Sequence, residues 1–252
     1  MSSPSLKPVI HYVNKFLAAV LCCCCSGISA QGINNIDTTT LEMIVVSSKG
    51  DVQGVRNLLQ HGMDIESTDV VGNTPLIFAA RYGRNDEVRF LIDRGADVNA
   101  RSRTGGTPLR EAVNKMNEVT VRLLLDAGAA VDTKDVDGET SMFYAVRHGF
   151  LPGLELLLAH GADPNLTNEH GDTSLIYAVR QAVPWEDQWP SIISTLIKHG
   201  ADLNIVNNGR ENALCIAKRQ GKSKIAKILI DYGAREDSCN SIAGEMVGAI
   251  AN

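Results

Sequence analysis

Apolar residues in this chain fall into two alternating short patterns, neither long enough to make a domain by itself. Around Leu76, the positions Leu76, Ala79 and Ala80 mark one face of a short helix, with side chains small enough for close stacking. A little further on, Val88, Leu91 and Ile92 show the three-to-four spacing of a second, amphipathic helix. The borders carry their own signals. Thr74 can cap free amide groups, and Pro75 suits the first helical turn. Gly83 ends the first helix and Gly95 the second, where a residue without a Cβ turns at least cost. An extended turn, Ala96 to Ala100, leads to the next unit.

The order then recurs. A Gly-Ala-Asp type step stands at Gly95, Gly128, Gly161, Gly200 and Gly233; successive spacings are 33, 33, 39 and 33 residues. A second marker keeps register with it: Thr74-Pro-Leu76, Thr107-Pro-Leu109, Thr140-Ser-Met142, Thr173-Ser-Leu175 and Asn212-Ala-Leu214. One six-residue insertion is the sole interruption. A unit of this kind exposes apolar surface on both sides, and only stacking buries it, so the array is expected to be one elongated cooperative domain.

The segment Gly72-Asn-Thr-Pro-Leu-Ile-Phe-Ala-Ala80, with Gly83 and Val88-Arg-Phe-Leu-Ile-Asp-Arg-Gly-Ala-Asp-Val-Asn99, resembles an ankyrin repeat. The resemblance runs from about Asn35 to Arg235, and many positions match in each of several copies. It implies an all-α ankyrin-repeat solenoid of about six helix-turn-helix repeats joined by β-turn or hairpin connections. The copies are 35–67, 68–100, 101–133, 134–166, 167–205 and 206–235. In the first, Met43 to Gly50 and Val52 to His61 form the helices, and the Thr-Pro start is missing. The last has Asn212-Ala213 for Thr-Pro and Arg210 where a glycine usually sits. Atypical ends are expected where a repeat faces water. Residues 236–252 form a tail or a short capping helix over Ile242, Met246 and Ile250.

Residues 1–30 are different material. They hold Lys7 and Lys15 but no acid, then an apolar run from Phe16 to Cys25, then the small residues Ser26 to Ala30. This three-part order predicts a signal peptide cleaved after Ala30, leaving 31–235 as the repeat domain before the tail. The run is shorter than the roughly 20 apolar residues a membrane span needs. A lipoprotein signal fits poorly, because Leu21 precedes Cys22; acylation of Cys22 to Cys25 in a retained segment is the other rival. Export would place Cys215 and Cys239 in an oxidising compartment, as a candidate disulfide between last repeat and tail or as two unpaired thiols.

Composition narrows the chemistry. The net charge of −5 and the lack of long basic runs weigh against nucleic-acid binding. No CxxC pair exists outside the Cys22 to Cys25 run, so a structural zinc site has no ligand set. His61, His160 and His199 each precede the glycine that ends a second helix, a repeat feature favourable at a helix C-terminus. Acids such as Asp69 and Asp135 sit in turns, where side-chain to backbone hydrogen bonds are their ordinary role. Neither a phosphate loop, an HExxH motif nor a nucleophile elbow occurs. The expectation is a protein without enzymatic activity, cofactor or metal, monomeric, and free of membrane contact once the signal is removed.

The resemblance implies binding on the side made of inter-repeat turns and first-helix ends. Five residues after each Leu or Met marker stand Ser48, Arg81, Asn114, Arg147, Arg180 and Arg219; six after stand Lys49, Tyr82, Lys115, His148, Gln181 and Gln220. That basic row would steer an acidic partner, unless the arginines pair with turn acids such as Asp137, Glu139, Glu169 and Asp172. Val70 and Val71, at a tip expected to be exposed, suggest contact, as does Arg103; Val136, Glu169 and His170 complete the tips. The insertion 182–190 carries Trp185 and Trp189, either exposed anchors for a partner or rings folded onto the neighbouring helices. The leading function is an exported module that binds and restrains or protects one protein, such as a periplasmic immunity protein against a toxin. A secreted effector binding a host protein and an enzyme with an active site in the groove are the alternatives.

Overall fold

The computed structural model describes residues 38–182 and 188–235. The expected signal segment 1–30, the tail 236–252, Cys239 and Trp185 lie outside the described residues. Twelve helices run in order among the described residues: α1 (Thr38–Lys49), α2 (Val52–Gln60), α3 (Pro75–Arg81), α4 (Asn85–Asp93), α5 (Pro108–Asn114) and α6 (Glu118–Asp126), then α7 (Ser141–Arg147), α8 (Leu151–Ala159), α9 (Ser174–Gln181), α10 (Gln188–Lys198), α11 (Ala213–Arg219) and α12 (Ser223–Asp231). They form six antiparallel pairs in the all-α repeat order that the sequence pattern predicts. The described residues contain no strand, only an isolated bridge between Thr167 and Thr173.

Local chemistry explains where the odd-numbered helices start. Thr74, Thr107 and Thr173 each accept a hydrogen bond at Oγ1 from the N–H three residues on, and Asn212 does the same through Oδ1. Losing such a cap costs about 1 kcal/mol. Pro75 and Pro108 follow two of these caps, where a missing N–H removes no helical bond. Two boundaries differ from the sequence reading. The first helix begins at Thr38 instead of Met43. The last three residues of the 182–190 insertion belong to α10, so the loop is shorter than expected.

Each odd helix packs on the odd helices before and after it, and each even helix contacts its even neighbours. The row of Leu76, Leu109, Met142, Leu175 and Leu214 is fully or almost fully buried along the odd helices. Beside it, Ala79, Ala112, Ala145, Ala178 and Ala217 are each 0% exposed, which lets neighbouring backbones approach closely. Burying one leucine in this row contributes about 1.5–3 kcal/mol.

Polar bonds tie the repeats together at both ends of the stack. At the turn tips, the N–H groups of Arg103, Val136, Glu169 and Asn208 donate to carbonyls of Val71, Thr104, Asp137 and His170 in the preceding repeat. Beyond the even helices, side chains of Glu66, Asn99, Asp132, Asn165 and Asn204 accept from the N–H groups of Asp97, Ala130, Asp163, Asp202 and Arg235 in the following one. No described helix is long and apolar enough to cross a membrane.

Candidate partner-binding face

The turns that lead into the odd helices are built by one side chain each. Asp69 Oδ1 accepts from the N–H groups of Val71 and Asn73, and Asp135 Oδ1 from those of Asp137 and Glu139. Asn168 and Asn207 repeat the pattern. These acids and amides are therefore structural, as the sequence suggested for Asp69 and Asp135. The fifth residue of each turn is brought beside the C-terminal end of the following odd helix.

There the arginine row meets its acids. Arg147 Nη2 lies 2.8 Å and 2.6 Å from the two oxygens of Glu139. Arg180 pairs with Asp172 at 2.8 Å and Arg219 with Glu211 at 2.7 Å. Arg81 reaches forward instead, to Glu111 of the next repeat at 2.9 Å. In each pair the acid is the less exposed partner: the Asp172 side chain is 1% exposed against 37% for Arg180. Each guanidinium thus covers a carboxylate with one edge and keeps another edge toward solvent. Of the acids that the sequence offered as partners, Glu139 and Asp172 are used this way.

Aromatic rings separate the arginines. Arg147 lies 4.8 Å from the Tyr144 ring centre and 5.5 Å from that of Tyr177, whose Oη accepts from Arg147 Nε at 2.9 Å. Burial works against the charge on Arg147, but the bonds to Tyr177 and Glu139 hold its pKa above the ordinary value. Arg110 joins from the middle of α5, contacting Glu111 at 2.8 Å and both Asp135 and Tyr144 at 3.1 Å. Burial opposes ionisation of Glu111 and Asp135, yet both are held below the usual carboxylate range. For Glu111 the cause is Arg81 and Arg110; for Asp135 it is hydrogen bonds from Tyr144, backbone amides and Arg110.

This Arg110, Tyr144 and Asp135 cluster was not singled out from the sequence. Its signal was the column Phe78, Glu111, Tyr144 and Tyr177, one residue per repeat in the same register. Met116 was missed too. It holds φ 55 where Gly83 and Gly149 stand in neighbouring repeats, and its side chain is 52% exposed.

The other candidates distribute as follows. Tyr82 is 43% exposed and stacks on Phe78; Lys115, His148 and Arg103 are exposed. Burial, with Arg147 and Lys115 nearby, lowers the His148 pKa, and its ring bonds Asn114 at 2.8 Å. Val70 and Val71 are half-buried instead of exposed, because the carbonyl of Val71 is tied to Arg103 of the next tip. Val136 is the exposed tip valine, at 57%. Trp189 sits in the apolar core at 5% exposure, which is the packing alternative for that ring. Cys215 is buried on α11 and disulfide-bonded. His61, His160 and His199 each bond through Nδ1 to the carbonyl four residues back, closing helix ends. No group of three or more His, Cys, Asp or Glu able to hold a metal occurs among the described residues.

The chain matches the family model for ankyrin repeats (three copies) over residues 14–102, 42–135, 100–168 and 142–241. No curated protein matches it. Among solved structures, it resembles the ankyrin repeat protein EF0377 at TM-score 0.71 and 27% identity, over 76% of this chain and 98% of that one. An ankyrin repeat domain from Acinetobacter baumannii AYE gives TM-score 0.71 and 26% identity, over 77% and 98%. The ankyrin repeat domain of Bcl-3, from the IkappaB family, gives 0.69 and 26%, over 77% and 86%. Repeat register, caps, stacked pairs and family match agree: this chain belongs to the ankyrin repeat family, whose fold serves generally as a scaffold for binding other proteins.

Proposed function

We propose that this protein is an exported, non-enzymatic module that binds one partner protein through its odd-helix ends and turn tips, and restrains or protects it. The observation that carries this reading is what the face leaves uncommitted. Its acids are used internally, but Tyr82, Met116 and Val136 stay 43%, 52% and 57% exposed on it. Exposed large apolar side chains mark contact sites; Val119, Ile230 and Tyr232, on or beside even helices, are exposed at 49%, 45% and 44%, so Met116 and Val136 are the most exposed of the set. Met116 adds a second sign, since a non-glycine residue held at positive φ is backbone strain kept at a surface position. The open edges of Arg147, Arg180 and Arg219 would orient an acidic partner. Their charge is matched by Glu139, Asp172 and Glu211, so the apolar contacts supply the larger share of affinity.

Export is supported by the three-part segment 1–30 and by the disulfide on Cys215, since disulfides persist in oxidising compartments. In a bacterium that compartment is the periplasm, where a restraining partner of this kind would suit immunity against a toxin.

A photo-crosslinking residue placed at Met116, and in a parallel sample at Arg89 on α4, tests the reading in the native source. The expected result is a discrete cross-linked protein from position 116 and none from 89. Equal cross-linking from both, or only from 89, removes this face as the site. Amino-terminal sequencing should begin at Gln31; an intact chain beginning at Met1 in the cytosol would contradict export.

A further inference from the structure

Where each odd helix turns into its even partner, successive repeats lie side by side. The turn between α3 and α4 abuts the one between α5 and α6: a Cβ on Gly83 would collide with the Asn117 side chain. The turn between α7 and α8 is tied to the same place, because the His148 ring bonds Asn114 Oδ1 at 2.8 Å. Tyr82, Lys115 and His148 hold one register position in these three turns. Met116 falls where the turns on either side have Gly83 and Gly149, so neither offers a side chain beside it. Val119 stands three residues further on, in the first turn of α6, where the flanking repeats carry Asp86 and Pro152. Tyr82, Met116 and Val119 are 43%, 52% and 49% exposed, and Pro152 is exposed in the next repeat. Val136 stands apart from them, ahead of the start of α7, whereas His148 follows its end.

The charges around this apolar edge are not balanced. Lys115 is exposed, and Arg84, just after the first of these turns, donates to the Ser48 carbonyl; neither pairs with a carboxylate among the described residues. Against them, Asp86 is exposed on the even-helix side, whereas Glu118 is paired with Arg122 at 3.1 Å. Burial lowers the His148 pKa, and the charges of Arg147 and Lys115 lower it further, the mark of a positive field not cancelled locally.

We infer that this helix-turn edge, formed by Tyr82, Met116 and Val119, is the docking surface for a partner segment that presents an apolar side chain flanked by carboxylates. The inference rests on the reading of this face as the binding side and narrows it: contact lies at the turns between helices, not at the tip that carries Val136. The exposed ring and the two aliphatic side chains bury the partner's apolar residue, and methionine, unbranched and polarizable, adapts to its shape. Lys115 and Arg84 receive the carboxylates, which fixes the orientation of the segment more than its affinity.

Selection of displayed random peptides on the full-length protein tests this. Enriched peptides should carry a large apolar residue with Asp or Glu within two positions of it. Val119→Asp installs the residue type that the preceding repeat carries at Asp86, so the fold is kept, and it should weaken those peptides at least about tenfold. Val136→Asp should leave them unchanged. Lys115→Gln, the residue type found in the same register at Gln181 and Gln220, should weaken them about threefold and leave their Asn and Gln counterparts unaffected. Binding lost in Val136→Asp and kept in Val119→Asp overturns the edge while leaving the face as the binding side. Enrichment of basic or uncharged peptides, or no enrichment, overturns the partner chemistry. A dimer in light scattering that Val119→Asp dissolves makes the occupant a second copy and overturns the partner segment. Peptide binding that survives both Val119→Asp and Val136→Asp overturns the edge and removes the face as well.

Discussion

Arg110 occupies the space that Gly106 leaves: a Cβ on Gly106 would collide with the Arg110 guanidinium. At the corresponding turn position the other repeats carry Asn73, Glu139, Asp172 and Glu211. Three of these pair with an arginine eight residues on: Glu139 with Arg147, Asp172 with Arg180 and Glu211 with Arg219. In this repeat both positions have changed, to Gly106 and Asn114, and Arg110 supplies the cation from within α5. The row of charges is continuous because one repeat solves the problem differently.

Gly106→Ala should therefore act through Arg110. The added methyl displaces the guanidinium and leaves Asp135 and Glu111 with fewer partners in a buried setting. A loss of about 1–3 kcal/mol in urea unfolding is expected, the cost of a buried charge stripped of a partner. Stability equal to wild type would mean that Arg110 is not held there.

Among the described residues, two that are not glycine occupy backbone conformations better suited to it. Arg210 has φ 58 and Met116 φ 55. Each substitution to glycine should stabilise the fold by about 1 kcal/mol in the same assay, by removing the clash of a Cβ at positive φ. The two should part in binding. Arg210→Gly leaves partner affinity unchanged, whereas Met116→Gly weakens it, because the exposed side chain is lost with the strain. Loss of stability in Arg210→Gly would contradict this account of the last turn.

Glu87 introduces a pH dependence. Its carboxylate is 0% exposed on α4, and neither of its oxygens nor Ser47 Oγ of α1 makes a hydrogen bond. Burial pushes its pKa up to about 8; the nearby Ser47 hydroxyl and the charge of Arg84 pull the other way, and Asp51 adds to the rise. Between its ordinary value of 4.5 and about 8, the unfolded chain has released this proton while the native one keeps it. The native state then binds more protons, so this group's contribution falls as pH rises, by about 1.4 kcal/mol per unit across the window. Glu87→Gln should flatten that slope and stabilise the protein at pH 8. Unfolding midpoints with the same pH slope in both proteins would contradict the buried, protonated state.

The repeats, their register and most caps were legible in the sequence because they rest on local chemistry: Thr at a helix start, glycine at its end, apolar positions at helical spacing. The arginine column was legible too, and pairing with turn acids was one of its two readings, but not which acid each arginine takes. Arg81 crosses to Glu111 while Arg147 turns back to Glu139, and both choices satisfy the same column; side-chain geometry decides. Val70 and Val71 were expected to stand free because the tip looked solvated, and backbone bonds between successive tips half-bury them. Glu87 was hidden because Asn85-Asp86-Glu87 reads as a solvated first turn. Its position falls at a helix contact where other repeats carry Gly54, Thr120 and Gly153.

Binding through the odd-helix ends and turn tips is decided by affinity for the partner. The arginines are poor probes, since Arg147→Ala strips a partner from a buried Glu139 and perturbs the fold itself. Tyr82→Ala with Met116→Gly removes two exposed contacts without unpairing a charge, and Arg89→Ala with Glu155→Ala on the even helices serves as control. Titration of the cross-linked partner against the three proteins should give wild-type affinity for the control and a loss of at least about tenfold, or 1.4 kcal/mol, for the first pair. Full affinity in the Tyr82 and Met116 variant, with loss in the control, would place binding on the even helices and contradict the account.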